Sequence, residues 1–186
     1  MINILFYNDK TILPKFHVKI PNLSPTKKIF ENMLDFILNH LANSRFLEID
    51  FADNAEEYIN ILFNILINEG DKFLRIRLRR GNLTRLYDLI VEYITTATDF
   101  SKMIAFIAMD CMSFQNFRIP ERAENVEVGE YNVFNKRSTR YEIANTNNPR
   151  KRFAFIIQDK KVSMPFLLPY TETIRSINIL KINDKI

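Results

Sequence analysis

Glycine is scarce: the 186 residues contain three, at Gly70, Gly81 and Gly129. A GxGxxG or P-loop phosphate cradle needs closely spaced glycines, so neither can be built here. Cysteine is rarer still. A lone Cys111 excludes an internal disulfide framework and suits a reducing compartment. Histidine occurs twice, at His17 and His40, and no His/Cys group has zinc-ligand spacing. No apolar run approaches the roughly 18 residues of a membrane-spanning helix. The opening MINILFYNDK lacks the basic region and small-residue cleavage site of a secretory signal. A cytoplasmic or nuclear protein is expected. Charge of either sign is also modest. A net +4 and an isoelectric point near 9.1 permit acidic partners without demanding nucleic acid.

Apolar residues make up 47% and charged residues 26%, which suits one soluble globular domain. A chain this long buries about two-thirds of its unfolded surface without staples. Its organising stretch is Phe46 to Met109. FLEIDF (Phe46 to Phe51) and FLRIRL (Phe73 to Leu78) alternate apolar with charged residues, as a strand with one buried face does. MIAFIAM (Met103 to Met109) is apolar throughout, and FHVKI (Phe16 to Ile20) supplies an earlier copy. The starts at Phe16, Phe46, Phe73 and Met103 are spaced by 30, 27 and 30 residues, a near-constant strand-plus-helix step.

The intervening helices follow from three-four spacing. Ile29, Phe30, Met33, Leu34, Ile37, Leu38 and Leu41 form the first stripe, behind a Ser24-Pro25 start. Tyr58, Ile61, Leu62, Ile65 and Leu66 form the second. Asp53 with Glu56 resembles a capping box, and Gly70 is expected as a left-handed C-terminal residue. Leu86, Leu89, Ile90, Tyr93 and Ile94 form the third, which Asn82 can cap. Beyond Pro120, Asn125 to Phe134, Thr139 to Ala144 and Arg152 to Gln158 read as antiparallel strands, with a turn at Thr146 to Pro149. Ile174 to Ile182 is either a further strand or part of a loose tail.

The expected fold is therefore α/β. Residues 1–120 form a short curved β-α stack of parallel strands, and residues 121–186 supply antiparallel strands and a tail that pack as its cap. Sequential right-handed crossovers put every helix on one side of such a sheet. Leu47, Ile49, Phe51, Leu74, Ile76, Leu78, Ile104, Phe106 and Ala108 then point at the helices. The other face carries Glu48 and Asp50 beside Arg75 and Arg77, with His17 and Lys19 on the far flank. This face is the expected protein-binding site, and reversing Arg75 and Arg77 to glutamate should abolish binding with little loss of stability.

A second patch gathers Lys136, Arg137, Arg140, Arg150, Lys151 and Arg152, with Tyr131, Phe134, Tyr141 and Phe153 interleaved. Basic residues mixed with aromatics suit single-stranded nucleic acid; the competing reading is a solvated hairpin whose aromatics face the core. Catalysis finds less support. His40 ends a helix, where an imidazole complements the dipole. Cys111 ends an apolar strand and reads as a small hydrophobe. Glu56-Glu57 opens a helix, and no cofactor or metal is expected.

Strands of the form L-x-I-x-F at a step near 28 residues resemble a leucine-rich repeat of the long kind, and Phe51-Ala52-Asp53-Asn54 keeps its asparagine spacing. More narrowly, LEIDFADNAEEYINILFNIL, LTRLYDLIVEYI, ERAENVEV and NPRKRFAFII resemble the region that follows the F-box in expanded nematode F-box proteins. That resemblance implies a non-catalytic protein-recognition region of a ubiquitin-ligase adaptor. The F-box itself, which would dock the ligase, is not evident: Leu13-Pro14 runs directly into strand-like FHVKI.

Overall fold

The computed structural model describes residues 3–7, 15–20, 28, 29, 31, 32, 35, 46–52, 55–70, 72–113, 117–131, 136–163 and 171–182. The strands are β1 (Asn3–Tyr7), β2 (Lys15–Ile20), β3 (Phe46–Phe51), β4 (Phe73–Asn82), β5 (Phe106–Ser113), β6 (Glu124–Tyr131), β7 (Lys136–Ala144), β8 (Arg152–Ser163) and β9 (Thr171–Ile182). A 3-10 turn at Glu56–Tyr58 leads into helix α1 (Ile59–Asn68), and helix α2 (Thr84–Thr96) follows β4. Residues 28, 29, 31, 32 and 35 are also helical.

The fold is mixed α/β, built among the described residues on one nine-stranded sheet of order β1-β2-β3-β4-β5-β9-β8-β7-β6. Strands β2 to β5 run parallel and in sequence. The C-terminal strands do not form a separate layer. They continue the same sheet, with β9 running antiparallel to both β5 and β8. Parallel neighbours require a crossover, whereas antiparallel ones need only a turn. Helices accordingly follow β3 and β4, and a described turn joins β7 to β8.

Alternation decides the core. Leu47, Ile49 and Phe51 of β3 and Leu74, Ile76 and Leu78 of β4 are buried with the inner stripes of α1 and α2. From α1 these are Ile59, Leu62, Ile65 and Leu66, with Tyr58 just ahead of it; from α2 they are Leu86, Tyr87, Ile90 and Ile94. Tyr87 replaces the expected Leu89 and Tyr93 in the fully buried set, since those two are only partly covered. Phe153, Phe155, Ile157, Ile177 and Ile179 extend the same core under β8 and β9.

The register of β5 differs from expectation. The strand starts at Phe106, three residues later than the apolar run suggested, and pairs Leu74 with Ile107, Ile76 with Met109 and Leu78 with Cys111. Ile107, Met109 and Cys111 therefore face the helices, while Phe106 and Ala108 face away. Ile104 is buried too, but in the loop ahead of the strand, where its N–H donates to the Leu66 carbonyl at 2.9 Å. A uniformly apolar run carries no alternation from which to choose a face.

Gly70 also differs. Among the described glycines the positive φ belongs to Gly81, at 115°, where β4 bulges before Asn82. Gly70 instead lies against the backbone of the α2–β5 loop: a Cβ there would sit 2.9 Å from Ser101 O and Lys102 C. The glycine serves close approach, not a left-handed cap. Asn82 does serve α2, its Oδ1 accepting from Thr84 N–H at 2.8 Å and from the Thr84 hydroxyl at 2.6 Å. Ile29, expected in a buried stripe, is exposed. Ser24, Pro25, Asp53 and the rest of the first stripe (residues 30, 33, 34, 37, 38 and 41) lie outside the described residues.

Two buried polar groups tie the second half of the chain to α2. Asn145 is 1% exposed. Its Nδ2 donates to the carbonyls of Ile94 at 2.7 Å and Ala97 at 2.9 Å. Its Oδ1 accepts from the N–H groups of Asn147 and Asn148. One side chain thus satisfies carbonyls at the helix end, left open there by helical geometry, and shapes the β7–β8 turn as well.

Tyr87 of α2 and Tyr141 of β7 meet through their hydroxyls at 2.5 Å, and the Tyr141 ring stacks on Phe155. Burial pushes the Tyr87 phenol up to about 12, with the Tyr141 hydrogen bond lowering it in part. Burial, reinforced by Tyr87, raises Tyr141 further. Folded values above the unfolded one mean the pair's contribution is whole below about pH 10 and is lost as pH rises through the folded values. The urea midpoint should therefore fall from about pH 10 upward to about pH 12. The fall should shrink in a Tyr87→Phe/Tyr141→Phe double variant; an equal fall in both proteins would exclude the pair as its source.

Candidate functional site

The parallel registers place all six expected face residues in two adjacent rows. His17, Glu48 and Arg75 align across β2, β3 and β4, and so do Lys19, Asp50 and Arg77. The β4–β5 register adds Ala108 to the first row and Asp110 to the second. The β5–β9 register then continues them to Asn178 and Ser176. Lys19 is exposed, and the His17 side chain lies outside the described residues.

Asp110 is the centre of this face, and sequence reasoning missed it. Its Oδ2 accepts from Arg75 Nε at 2.9 Å and Nη2 at 2.7 Å, and its Oδ1 accepts from the Ser176 hydroxyl at 2.6 Å. Arg77 Nε lies 3.6 Å from the same carboxylate. Arg77 Nη1 lies 2.5 Å from Glu48 Oε1. The arginines therefore reach opposite ways, Arg75 to β5 and Arg77 chiefly to β3. Asp110 follows directly on the expected end of the strand at Met109, so no alternation pointed to it.

A third row is aromatic. Phe46, Phe73 and Phe106 align across β3, β4 and β5, and β9 adds Leu180. Phe73 is 38% exposed, and its ring centroid lies 6.2 Å from that of Phe106. None of the three belongs to the core cluster under the helices. Phe106 was expected inside; the later start of β5 puts it here. The face thus presents an apolar row beside two rows of paired charge.

The pairing changes one expectation. Arg75 and Arg77 are held by carboxylates, so their reversal to glutamate would set like charges beside Glu48 and Asp110 and weaken the fold itself. Phe73 is the cleaner position at which to disturb the face.

The alternative basic patch is divided. Arg152 lies 3.0 Å from Glu124 and 3.4 Å from Glu142, and Arg140 lies 3.2 Å from Glu142. Arg150 and Lys151 are exposed in the β7–β8 turn. Tyr141 and Phe153 are buried at 0% and 1% exposure, so their rings cannot stack on bases. The side chains of Lys136, Arg137 and Tyr131 lie outside the described residues, as does Phe134. On the helix side, a groove of about 1150 Å³ is lined by Lys28, Glu31, Asn60, Phe63 and Leu89, among others; it touches neither charged cluster.

Cys111 is buried, its thiol 3.3 Å from the Gly81 carbonyl. Among the described residues no three His, Cys, Asp or Glu side chains gather as metal ligands do, and no helix is long and apolar enough to cross a membrane. Glu56 pairs with Arg85 at 2.7 Å. His40 lies outside the described residues.

A family profile described as a domain of unknown function (DUF8381) matches residues 1–52. The match takes in β1, β2 and β3 and ends inside the sheet, just past the strand that carries Glu48 and Asp50. No curated protein and no solved structure matches the chain.

Proposed function

We propose that this protein is a non-catalytic recognition module of the cytoplasm or nucleus whose open strand face binds a protein target. In this reading the parallel block β2 to β5 is a short leucine-rich-repeat-like unit, akin to the target-recognition region that follows an F-box. One observation carries it: a row of half-buried Phe46, exposed Phe73 and half-buried Phe106, outside the helix-side core and bordered by the Glu48, Arg75, Arg77 and Asp110 network. Apolar area gives a partner affinity, while fixed charge beside it selects the partner and orients it.

Self-neutralised arginines suit a protein better than a polyanion, whose phosphates would compete with carboxylates already in place. A pull-down that compares the ubiquitin-ligase adaptor with other proteins tests the reading, run beside a Phe73→Ser variant. Targets captured by the native protein should be lost from the variant while its melting temperature stays within about 2 °C. Capture that is indifferent to Phe73 would place recognition elsewhere.

A further inference from the structure

The charges on the open face alternate in sign from strand to strand. Lys19 on β2 is positive, Glu48 and Asp50 on β3 are negative, Arg75 and Arg77 on β4 are positive, and Asp110 on β5 is negative. Such a pattern is its own complement under one symmetry operation. Consider a two-fold axis lying in the plane of the face, parallel to the strands, midway between β3 and β4. Rotation about it lays β3 of one copy over β4 of the other, and β2 over β5, with each row over itself.

Glu48 then faces Arg75 of the second copy, Lys19 faces Asp110 and Phe46 faces Phe73, while Asp50, 5% exposed, lies beneath the contact opposite Arg77. No like charges meet. Arg75 uses two of the five guanidinium donors on Asp110, which leaves others to reach a second carboxylate.

We propose that the occupant of this face is a second copy of the same chain, stacked sheet on sheet about that axis. The inference rests on reading the face as a protein-binding surface and names its partner. Stacked sheets lie about 10 Å apart with strands within about 30° of aligned, so the register holds best near the axis, at β3 and β4. Six strands (β1 to β5 and β9) lie symmetrically about it, spanning roughly 29 Å by 20 Å. That is about 600 Å² per copy, short of the ~800 Å² of a standard interface, which places it among weak, concentration-dependent associations.

Sedimentation equilibrium of the full chain from about 1 to about 200 µM is the test. The apparent mass should rise toward twice that of the monomer, and Phe73→Ser should abolish the rise. Glu48→Arg and Arg75→Glu should each be monomeric alone, because each puts like charges opposite at both symmetry-related contacts. Mixed in equal amounts they should form a heterodimer, since the arginine introduced on β3 of one then meets the glutamate introduced on β4 of the other. Circular dichroism checks that each variant is folded. If a charge variant is not, loss of the dimer in Phe73→Ser decides alone.

A native protein that stays monomeric throughout, or a dimer that survives Phe73→Ser, overturns the proposal. A monomer whose target capture still depends on Phe73 would sink the self-association and leave the recognition reading standing.

Discussion

Ile76→Ala is expected to be among the most damaging single substitutions in the chain, at about 2–5 kcal/mol. Ile76 is fully buried at the middle of β4, between Ile49 of β3 and Met109 of β5. Truncation removes its transfer free energy and leaves a cavity, because neighbours fixed on two hydrogen-bonded strands cannot collapse into the space. For a domain of this size the melting temperature should drop by roughly 4–20 °C. Phe73, three residues earlier on the same strand, is the internal control. It faces the other way, and Phe73→Ala should cost less than about 1 kcal/mol. Equal losses at the two positions would mean that both faces of β4 are packed.

Asp110→Ala should cost about 2–3 kcal/mol, in the range of charge-assisted hydrogen bonds to partly buried groups. The cost has two sources. The Arg75 fork and the Ser176 hydroxyl lose their shared acceptor, and Ser176 is only 4% exposed. Arg75 also loses its carboxylate partner, while Arg77 keeps Glu48 and loses only its longer contact of 3.6 Å. Asp110→Asn keeps an acceptor and removes only the charge, and should lose about half as much. Urea midpoints of the two variants measure this, and a loss under about 0.5 kcal/mol for alanine would show that the network decorates the sheet without helping to hold it.

Much of the parallel block was legible because its strands alternate. FLEIDF and FLRIRL announced period, buried face and charged face together, and the structure aligns Glu48 with Arg75 and Asp50 with Arg77. The apolar run from Met103 hid its face for want of any polar marker, so Asp110 was missed and Phe106 was placed inside. Both are settled by pairing with β4, a non-local fact.

The order of the last strands was equally out of reach. That β9 sits between β5 and β8 depends on which strand meets the edge of β5, and Arg152–Ser163 reads no differently beside either neighbour. Gly70 shows the same limit in one residue. Its position after a helix suggested a left-handed turn, whereas its role lies in a contact with Ser101 and Lys102, some thirty residues away. Asn145 sits within a recognisable turn, yet its hydrogen bonds to α2 span 48 and 51 residues, and nothing local signals them.

The central claim is that one side of β4 is sealed by helices and the other is open. Thiol labelling of single cysteines placed in turn at Phe73, Leu74 and Arg77, in a Cys111→Ser background, tests it most directly. Under native conditions, at concentrations well below those at which copies would associate, the thiols at 73 and 77 should react at least about tenfold faster than the one at 74. That gap corresponds to about 1.4 kcal/mol or more of opening free energy. Equal protection at all three positions would show the charged and aromatic face to be covered, and the recognition surface would be lost with it.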